Sequence, residues 1–509
     1  MHVTGRIIPP HFLCSFNAAV DALVSIIYFP LPIACCSPSR RPTACDCRYS
    51  TAGTPSIYMQ SSYDAENKQL LLHCRQEVLG SSQPLVVPLC IGLLAADGSD
   101  MKVSCSHHCS RVLPPEAVSS TRHDLLLILD STETSFVVDG VNELPVVSYL
   151  RGFSAPVHLR IERSLRDLSL LAAHDCDGVS RWSAVQELWN LCFFANQSDR
   201  SESVAAISAA FRSLGAQAAE AGSDSDKLWQ FARLCAVPSV PFMMQQQSVQ
   251  TPQTMWSLHR SICGEIASQV HESVERLLFD GCTSLASIRW RNAVTTCSAN
   301  ASSPKEMAQR AAFDTGMYLL CFAGSDVASR ALQLSKDLVL SSSHPMTSRL
   351  SALNRLLQSD SECSLDMRLS ASQHFFTEWK SNELVLQSWM AANAGSGASD
   401  TLALVKTILS SSCFRFDVPN DVYALLVTFA RSSPCQFYSS EGMSLVVDAV
   451  LRLDKSNPQV AARLVRCFSD VRKVSAGECP GAVDSVRRIA DAAVSSDVKE
   501  LCTRILEEG

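Results

Sequence analysis

Between Ser56 and Val157 the chain carries short apolar runs punctuated by proline and polar turns. Gln69–Gln76 and Leu85–Leu94 are two such runs, bounded by Pro84, Pro88 and the Asp97-Gly98 turn pair. Leu125–Leu129 and Phe136–Val138 read as two more strands joined by the polar Asp130–Thr134. Several short strands within about 100 residues predict a two-sheet antiparallel β-sandwich. From Leu165 onward the apolar spacing changes to three and four. Trp182, Val185, Trp189 and Cys192 form one stripe, and Val204, Ile207, Phe211 and Leu214 form another. Ile262, Ile266, Val270, Val274 and Leu277 repeat it, as do Val446, Val450 and Leu453. Polar connectors at Ala221–Asp226, Ser341–Pro345 and Ala394–Ser399 separate the stripes. Amphipathic helices joined by short loops predict stacked antiparallel pairs, and no strict period is present, so the array is an irregular superhelix. The fold class expected is therefore α+β as separate domains: a small antiparallel β-sandwich, then a large all-α, solenoid-like domain.

Residues 1–48 follow neither pattern. Phe12–Cys36 is apolar, but Asn17, Asp21, Pro30 and Pro32 interrupt it, whereas a spanning helix needs about 20 predominantly apolar residues. Three readings stay open: a non-native or disordered extension outside the folded unit, a packed extension, or a signal peptide. The last would use Arg6, the apolar Ala18–Phe29 and the small residues near Ala34.

Composition narrows the class. At 509 residues, with 47% apolar and 18% charged positions, the chain is an ordinary folded protein of several domains. A net charge of −7 lacks the basic face that nucleic-acid binding needs. The 22 cysteines are scattered through helical segments rather than clustered as a disulfide framework, which reads as reduced core thiols in a cytoplasmic protein. Neither a nucleic-acid nor a membrane partner is expected.

The stretch that joins the two patterns is Tyr149–Val157, containing RGFSAPV, followed by His174–Gln186, HDCDGVSRWSAVQ. It resembles the seam between the small β-domain and the helical C-terminal domain of the alanyl aminopeptidases, zinc exopeptidases of the aminopeptidase N kind. Tyr49–Pro55 resembles the family's Y-S-x-A-G-T-P, with Arg48 where an aromatic residue is usual. Met346–Leu353, Trp379-Lys380, Leu384–Leu386 with Trp389, and Asn457–Leu464 are also similar to family segments. The resemblance runs from residue 49 to the end. It implies a β-sandwich at 49–157 and an α-superhelix of the aminopeptidase C-terminal type at 158–509, with 1–48 unmatched.

The family's chemistry needs H-E-x-x-H for zinc, a third Glu ligand, and G-x-M-E-N for the substrate amine. The chain has neither motif. His271-Glu272-Ser273-Val274-Glu275 has Glu where the second His is needed, and its Val270, Val274 and Leu277 belong to a core stripe. Cys105-Ser-His107-His108-Cys109 is too crowded for one tetrahedral ion. No nucleophile elbow or phosphate loop is present. His174, Asp175 and Asp177 invite an acid–base reading, but fit better as caps of the following helix, with Asp177 or Ser180 accepting its first N–H groups. No catalytic or metal-binding residue is therefore expected here, and zinc belongs to the complete family enzyme.

One segment carries a binding reading. Asn457 suits an N-cap and Pro458 the first helical position, which puts Gln459 and Arg463 on one face. By themselves these residues could be a solvated surface pair. The resemblance implies instead that Gln459, Arg463 and Asn457 help line the pocket for the residue after the scissile bond, where an Arg can grip a peptide carboxylate or carbonyl. Upstream, the family's Asn-Pro-Asn-Arg-x-Arg is replaced by Val418-Pro-Asn-Asp-Val-Tyr423, with Asp421 and Tyr423 at the two Arg positions.

The function expected is that of a non-catalytic C-terminal part of an alanyl-aminopeptidase-like protein. It would form the substrate-access cavity and be inactive alone, its partners being peptides and a catalytic aminopeptidase domain missing here. The alternative is a free-standing α-solenoid interaction scaffold. A separately encoded catalytic half that docks and restores activity is a third possibility.

Overall fold

The computed structural model describes residues 54–78, 83–102, 112–113, 124–220, 222, 224–281, 284–289, 294, 303–359 and 365–507. They divide into two compact units, one ending at Ser213 and one beginning at Leu214. The Cys105–Cys109 cluster and residues 1–48 lie outside the described residues.

The first unit opens with a sandwich of two four-stranded sheets. Strands β1 (Ser56–Asp64) and β2 (Gln69–Glu77) form an antiparallel hairpin in register Asp64↔Gln69. Asp64 Oδ1 accepts from the backbone N–H groups of Glu66 and Asn67 at 3.0 Å each, which tightens the turn. The remaining strands are β3 (Val87–Leu94), β4 (Val112–Leu113), β5 (Leu125–Leu129), β6 (Glu133–Asp139), β7 (Val146–Tyr149) and β8 (His158–Arg160). The sheets run β6-β2-β1-β8 and β4-β5-β3-β7. Leu70, Leu72 and Cys74 from one sheet and Leu125, Leu127 and Leu129 from the other bury their side chains in the shared core, the alternation expected of half-buried strands. Gln76 lies in the same row, and its buried amide donates to the carbonyls of Leu85 and Ser131 at 2.9 Å and accepts from Leu85 N–H at 3.0 Å.

The polar segment after Leu129 joins β5 to β6, which belong to different sheets, so it carries the chain across the sandwich. The sandwich is not wholly antiparallel. β8 pairs in parallel with β1, Ser56 opposite His158, and carries the sheet past Val157.

Helices α1 (Leu165–His174) and α2 (Gly178–Phe194) follow in the same unit. Val185, Trp189 and Cys192 are buried as expected, but Trp182 from the same stripe is 39% exposed. Its inward place in the first turn is taken by buried Arg181, which donates to the carbonyls of Ala172 and Ala173 at 3.0 and 2.8 Å and caps the C-terminal end of α1.

The joining stretch recognised in the sequence owes its form to a buried arginine. Leu150, Gly152 and Phe153 all have positive φ, a local contortion that needs support. Support comes from Arg151, 1% exposed, whose guanidinium binds Asp124 at 2.7 Å, Asp100 at 2.8 Å and Asp175 at 2.9 Å. Gly152 N–H donates to Asp177 Oδ2 at 2.9 Å. Arg151 thus ties the end of β7 to the α1–α2 link. A Cβ on Gly92 of β3 would lie 1.9 Å from Arg151 Cζ, so the guanidinium occupies the space that this glycine leaves.

The second unit is an array of helices. They include α3 (Gln197–Glu220, continued from the first unit), α4 (Ser225–Leu234), α5 (Val240–Met244), α6 (Pro252–Leu278), α7 (Pro304–Leu320), α8 (Ser325–Leu340), α9 (Met346–Gln358), α10 (Leu365–Trp379), α11 (Glu383–Ala394) and α12 (Thr401–Ser410). Then come α13 (Pro419–Val422), a π-helical turn (Tyr423–Val427), α14 (Thr428–Ser432), α15 (Pro434–Phe437), α16 (Ser440–Asp454), α17 (Pro458–Val465), α18 (Ala482–Ala492) and α19 (Ser496–Glu507). The stripes 262–277 and 446–453 are buried as the spacing required. Buried Arg349 grips Glu378 at 2.6 and 2.5 Å, and buried Arg368 pairs with Asp400 at 2.6 Å. The first contact is forked and the second single, and both tie neighbouring segments of the array together.

The array also meets itself far along the chain. Gln253 Nε2 at the start of α6 donates to the Cys435 carbonyl at 2.7 Å, and Glu478 accepts from Gln253 N–H at 2.8 Å. An acidic side chain remote in sequence therefore caps the N-terminus of α6. Among the described residues, no helix is long and apolar enough to cross a membrane.

Candidate peptide-binding face

Helix α17 is built as its sequence demands. Asn457 Oδ1 accepts from Val460 N–H at 3.3 Å and Pro458 takes the first helical position. Val460, Ala461, Leu464 and Val465 are buried, while Gln459 and Arg463 are exposed together on the opposite face. One helical turn apart, they present an amide and a guanidinium in the same direction.

Arg463 has a partner that the sequence did not reveal. Its Cζ lies 4.3 Å from the centre of the Tyr423 ring, within cation–π range. Tyr423 opens the π-helical turn Tyr423–Val427, an irregularity frequent at functional sites. The other replaced position, Asp421, is buried: it accepts from Arg415 Nε and from Gln387 Nε2 at 3.0 Å each. Of the two residues at the family's Arg positions, one therefore binds helices together and the other stacks against Arg463.

Farther along the same face, half-buried Cys467 sits on the turn Arg466–Phe468. Burial pushes its thiol up to about 11, while the charges of Arg431 and Arg463 and a hydrogen bond with Arg431 pull the other way. Arg431, on α14, is exposed. The stack of Arg463 on Tyr423 thus brings together two segments 40 positions apart.

Other candidates resolve differently. Asp177 caps α2, accepting from Val179 and Ser180 N–H at 3.1 and 2.9 Å, as the cap reading required. Asp175 instead holds Arg151, and burial raises its pKa against that attraction. His271 Nδ1 is 4.0 Å from Glu275, which also pairs with Arg330 at 3.0 Å. Among the described residues no three His, Cys, Asp or Glu side chains converge as a metal site requires. Cys74, Cys192, Cys263 and Cys502 lie buried as thiols, serving as small core residues.

The fold and this face define a class: an Ig-like β-domain followed by an ARM-type helical array. Comparison with known proteins gives it a family. Residues 165–507 match the domain of unknown function DUF3458_C, described as ARM repeats, and residues 53–162 match the domain of unknown function DUF3458, described as an Ig-like fold. The chain belongs to this family and is homologous to the C-terminal region of aminopeptidase N. It is 25% identical over 435 residues to aminopeptidase N of Escherichia coli (strain K12), covering 84% of this chain and 46% of that protein. With aminopeptidase N of Caulobacter vibrioides it shares 27% identity over 475 residues, 90% of this chain and 49% of the relative. The chain thus spans about half the length of these curated relatives. The crystal structure of Legionella pneumophila aminopeptidase A in complex with aspartic acid has a similar fold, with a TM-score of 0.67 at 22% identity, covering 90% of this chain and 49% of that one.

Proposed function

We propose that the chain works as the non-catalytic C-terminal portion of an alanyl-aminopeptidase-like protein, whose complete form releases N-terminal residues from peptides at a zinc centre. In this reading the helical array walls the cavity that substrates enter, and Gln459 and Arg463 contact the peptide beyond the scissile bond. The partners are peptides and a catalytic aminopeptidase domain that carries the zinc. Asn457 acts as a positioning residue, fixing the first turn from which Gln459 projects.

The observation that carries the reading is the exposure of Gln459 and Arg463 on one face of a helix in a homologue of aminopeptidase N. A buried or ion-paired Arg463 would have served packing instead. Arg463 forms no ion pair among the described residues, and the stack on Tyr423 engages its flat face, so its N–H edges remain available to a peptide carbonyl.

Calorimetric titration of an amidated alanyl dipeptide into the chain tests the contact. The double substitution Gln459→Ala, Arg463→Ala is expected to weaken binding by at least tenfold with little change in unfolding temperature. Unchanged affinity would remove these residues from the reading.

A further inference from the structure

We infer that Ser135, His73 and Glu133 form an acyl-transfer site on the outer face of the β-sandwich, in which Ser135 accepts the acyl group of carboxylic esters that have a phenol-like leaving group.

The strand ladder builds the site. β2 and β6 pair antiparallel, with His73 opposite Ser135 and Arg75 opposite Glu133. Gln76 N–H donates to the Thr132 carbonyl at 2.8 Å, which makes those two residues a hydrogen-bonded pair. Counting back three positions places His73 and Ser135 on a non-hydrogen-bonded pair, where opposed side chains come closest. Glu133 stands two positions before Ser135 and shares its face. Beneath them Leu72, Cys74 and Phe136 are buried in the core, so the three groups stand on packed strands rather than on a loop.

The contacts form a directed chain. Glu133 Oε1 lies 2.9 Å from His73 Nε2, and His73 Nδ1 lies 3.1 Å from Ser135 Oγ. A carboxylate only accepts, so it keeps the imidazole proton on Nε2 and leaves Nδ1 to accept from the Ser135 hydroxyl. These are the nucleophile, base and orienting group of a serine acyl-transfer relay. Ser135 is exposed and His73 half-buried, and β6 is the outermost strand of its sheet, so an ester can reach the hydroxyl. Ser135 Oγ bonds to the acyl carbon as its proton passes to His73 Nδ1. The acyl C–O bond to the aryloxide then breaks, and the aryloxide takes that proton and leaves as a phenol.

The setting also limits the substrate. Backbone N–H groups of a sheet lie in its plane, so the strands aim none over the Ser135 hydroxyl to hold an oxyanion. Losing one such donor costs about 10²–10³ in rate, which rules out amides and restricts the site to esters whose leaving group departs readily.

Treatment of the full chain with para-nitrophenyl acetate tests the site, with acetylated positions mapped by mass spectrometry of a quenched digest. Ser62, exposed on the same face with Leu71 rather than a histidine opposite it, is the internal reference. Ser135 is expected to acetylate roughly tenfold or more faster than Ser62. His73→Gln is expected to bring Ser135 down to the Ser62 rate. Glu133 acts through His73 as a positioning residue. Glu133→Gln is expected to slow Ser135 roughly three- to tenfold, and Glu133→Asp to recover part of that loss. Unfolding temperatures are expected to stay level, since these side chains face solvent, which separates lost chemistry from lost fold. Equal rates at Ser135 and Ser62, a Ser135 rate that survives either His73→Gln or Glu133→Gln, or acetylation of His73 with none at Ser135 overturns the inference.

Discussion

Arg463 and Tyr423 stand 40 positions apart in the chain, yet the guanidinium carbon of one lies 4.3 Å from the ring centre of the other. The aromatic face attracts the cation and limits the angles it can adopt, a contact worth about 0.5–1 kcal/mol at a solvent-facing site. The stack leaves the face with one oriented guanidinium.

Removing the ring while keeping its bulk isolates that effect. Tyr423→Leu is expected to weaken peptide binding by roughly two- to fivefold, the equivalent of about 0.5–1 kcal/mol. Tyr423→Phe keeps the stack and is expected to bind like the native chain. Calorimetry on both variants checks the difference; equal losses would assign the effect to the hydroxyl rather than to the stack.

The buried Arg151 node sets the stability of the first unit. Gly92→Ala would place a methyl 1.9 Å from Arg151 Cζ, and the guanidinium cannot move without leaving Asp124 and Asp175 buried with no cation. Breaking such a pair costs about 3–5 kcal/mol, so denaturant titration is expected to show a loss of that size. Arg151→Met, which leaves the three carboxylates without their cation, is expected to cost at least as much. A change under about 1 kcal/mol in both variants would mean the node is dispensable.

His259 gives the second unit a pH dependence with a definite sign. It is 4% exposed, and its Nε2–H donates to the Pro238 carbonyl at 2.8 Å. Burial pulls its pKa from 6.5 down to about 4. The unfolded chain binds the proton first, so this histidine's contribution is complete above pH 6.5 and is lost as pH falls toward 4. The window corresponds to roughly 3 kcal/mol. His259→Gln is expected to flatten the stability profile across it, as urea titrations at stepped pH would show. A slope unchanged by that substitution would place the proton uptake elsewhere.

Local signals were legible in the sequence and remote ones were not. Leu125–Leu129 is a strand with the bounds its apolar run suggested, and Asn457 caps α17 because a cap depends only on its next three residues. The change of sheet after Leu129 was not legible, because a polar link looks the same whether its strands pair or cross the sandwich. Arg151 was invisible as a node, since its partners Asp100, Asp124 and Asp175 are scattered and ordinary one by one. The site divides the same way. The common face of Gln459 and Arg463 follows from helical periodicity, whereas the ring beneath Arg463 arises from tertiary packing around a π-helical turn that has no sequence signature.

The central claim is that this chain supplies the peptide-holding wall of an aminopeptidase and that the zinc chemistry belongs to another domain. Elemental analysis of the purified chain, combined with an aminoacyl-arylamide hydrolysis assay with and without added zinc, tests it most directly. The account predicts substoichiometric zinc and no metal-dependent turnover. One zinc per chain with hydrolysis that disappears on chelation would contradict it.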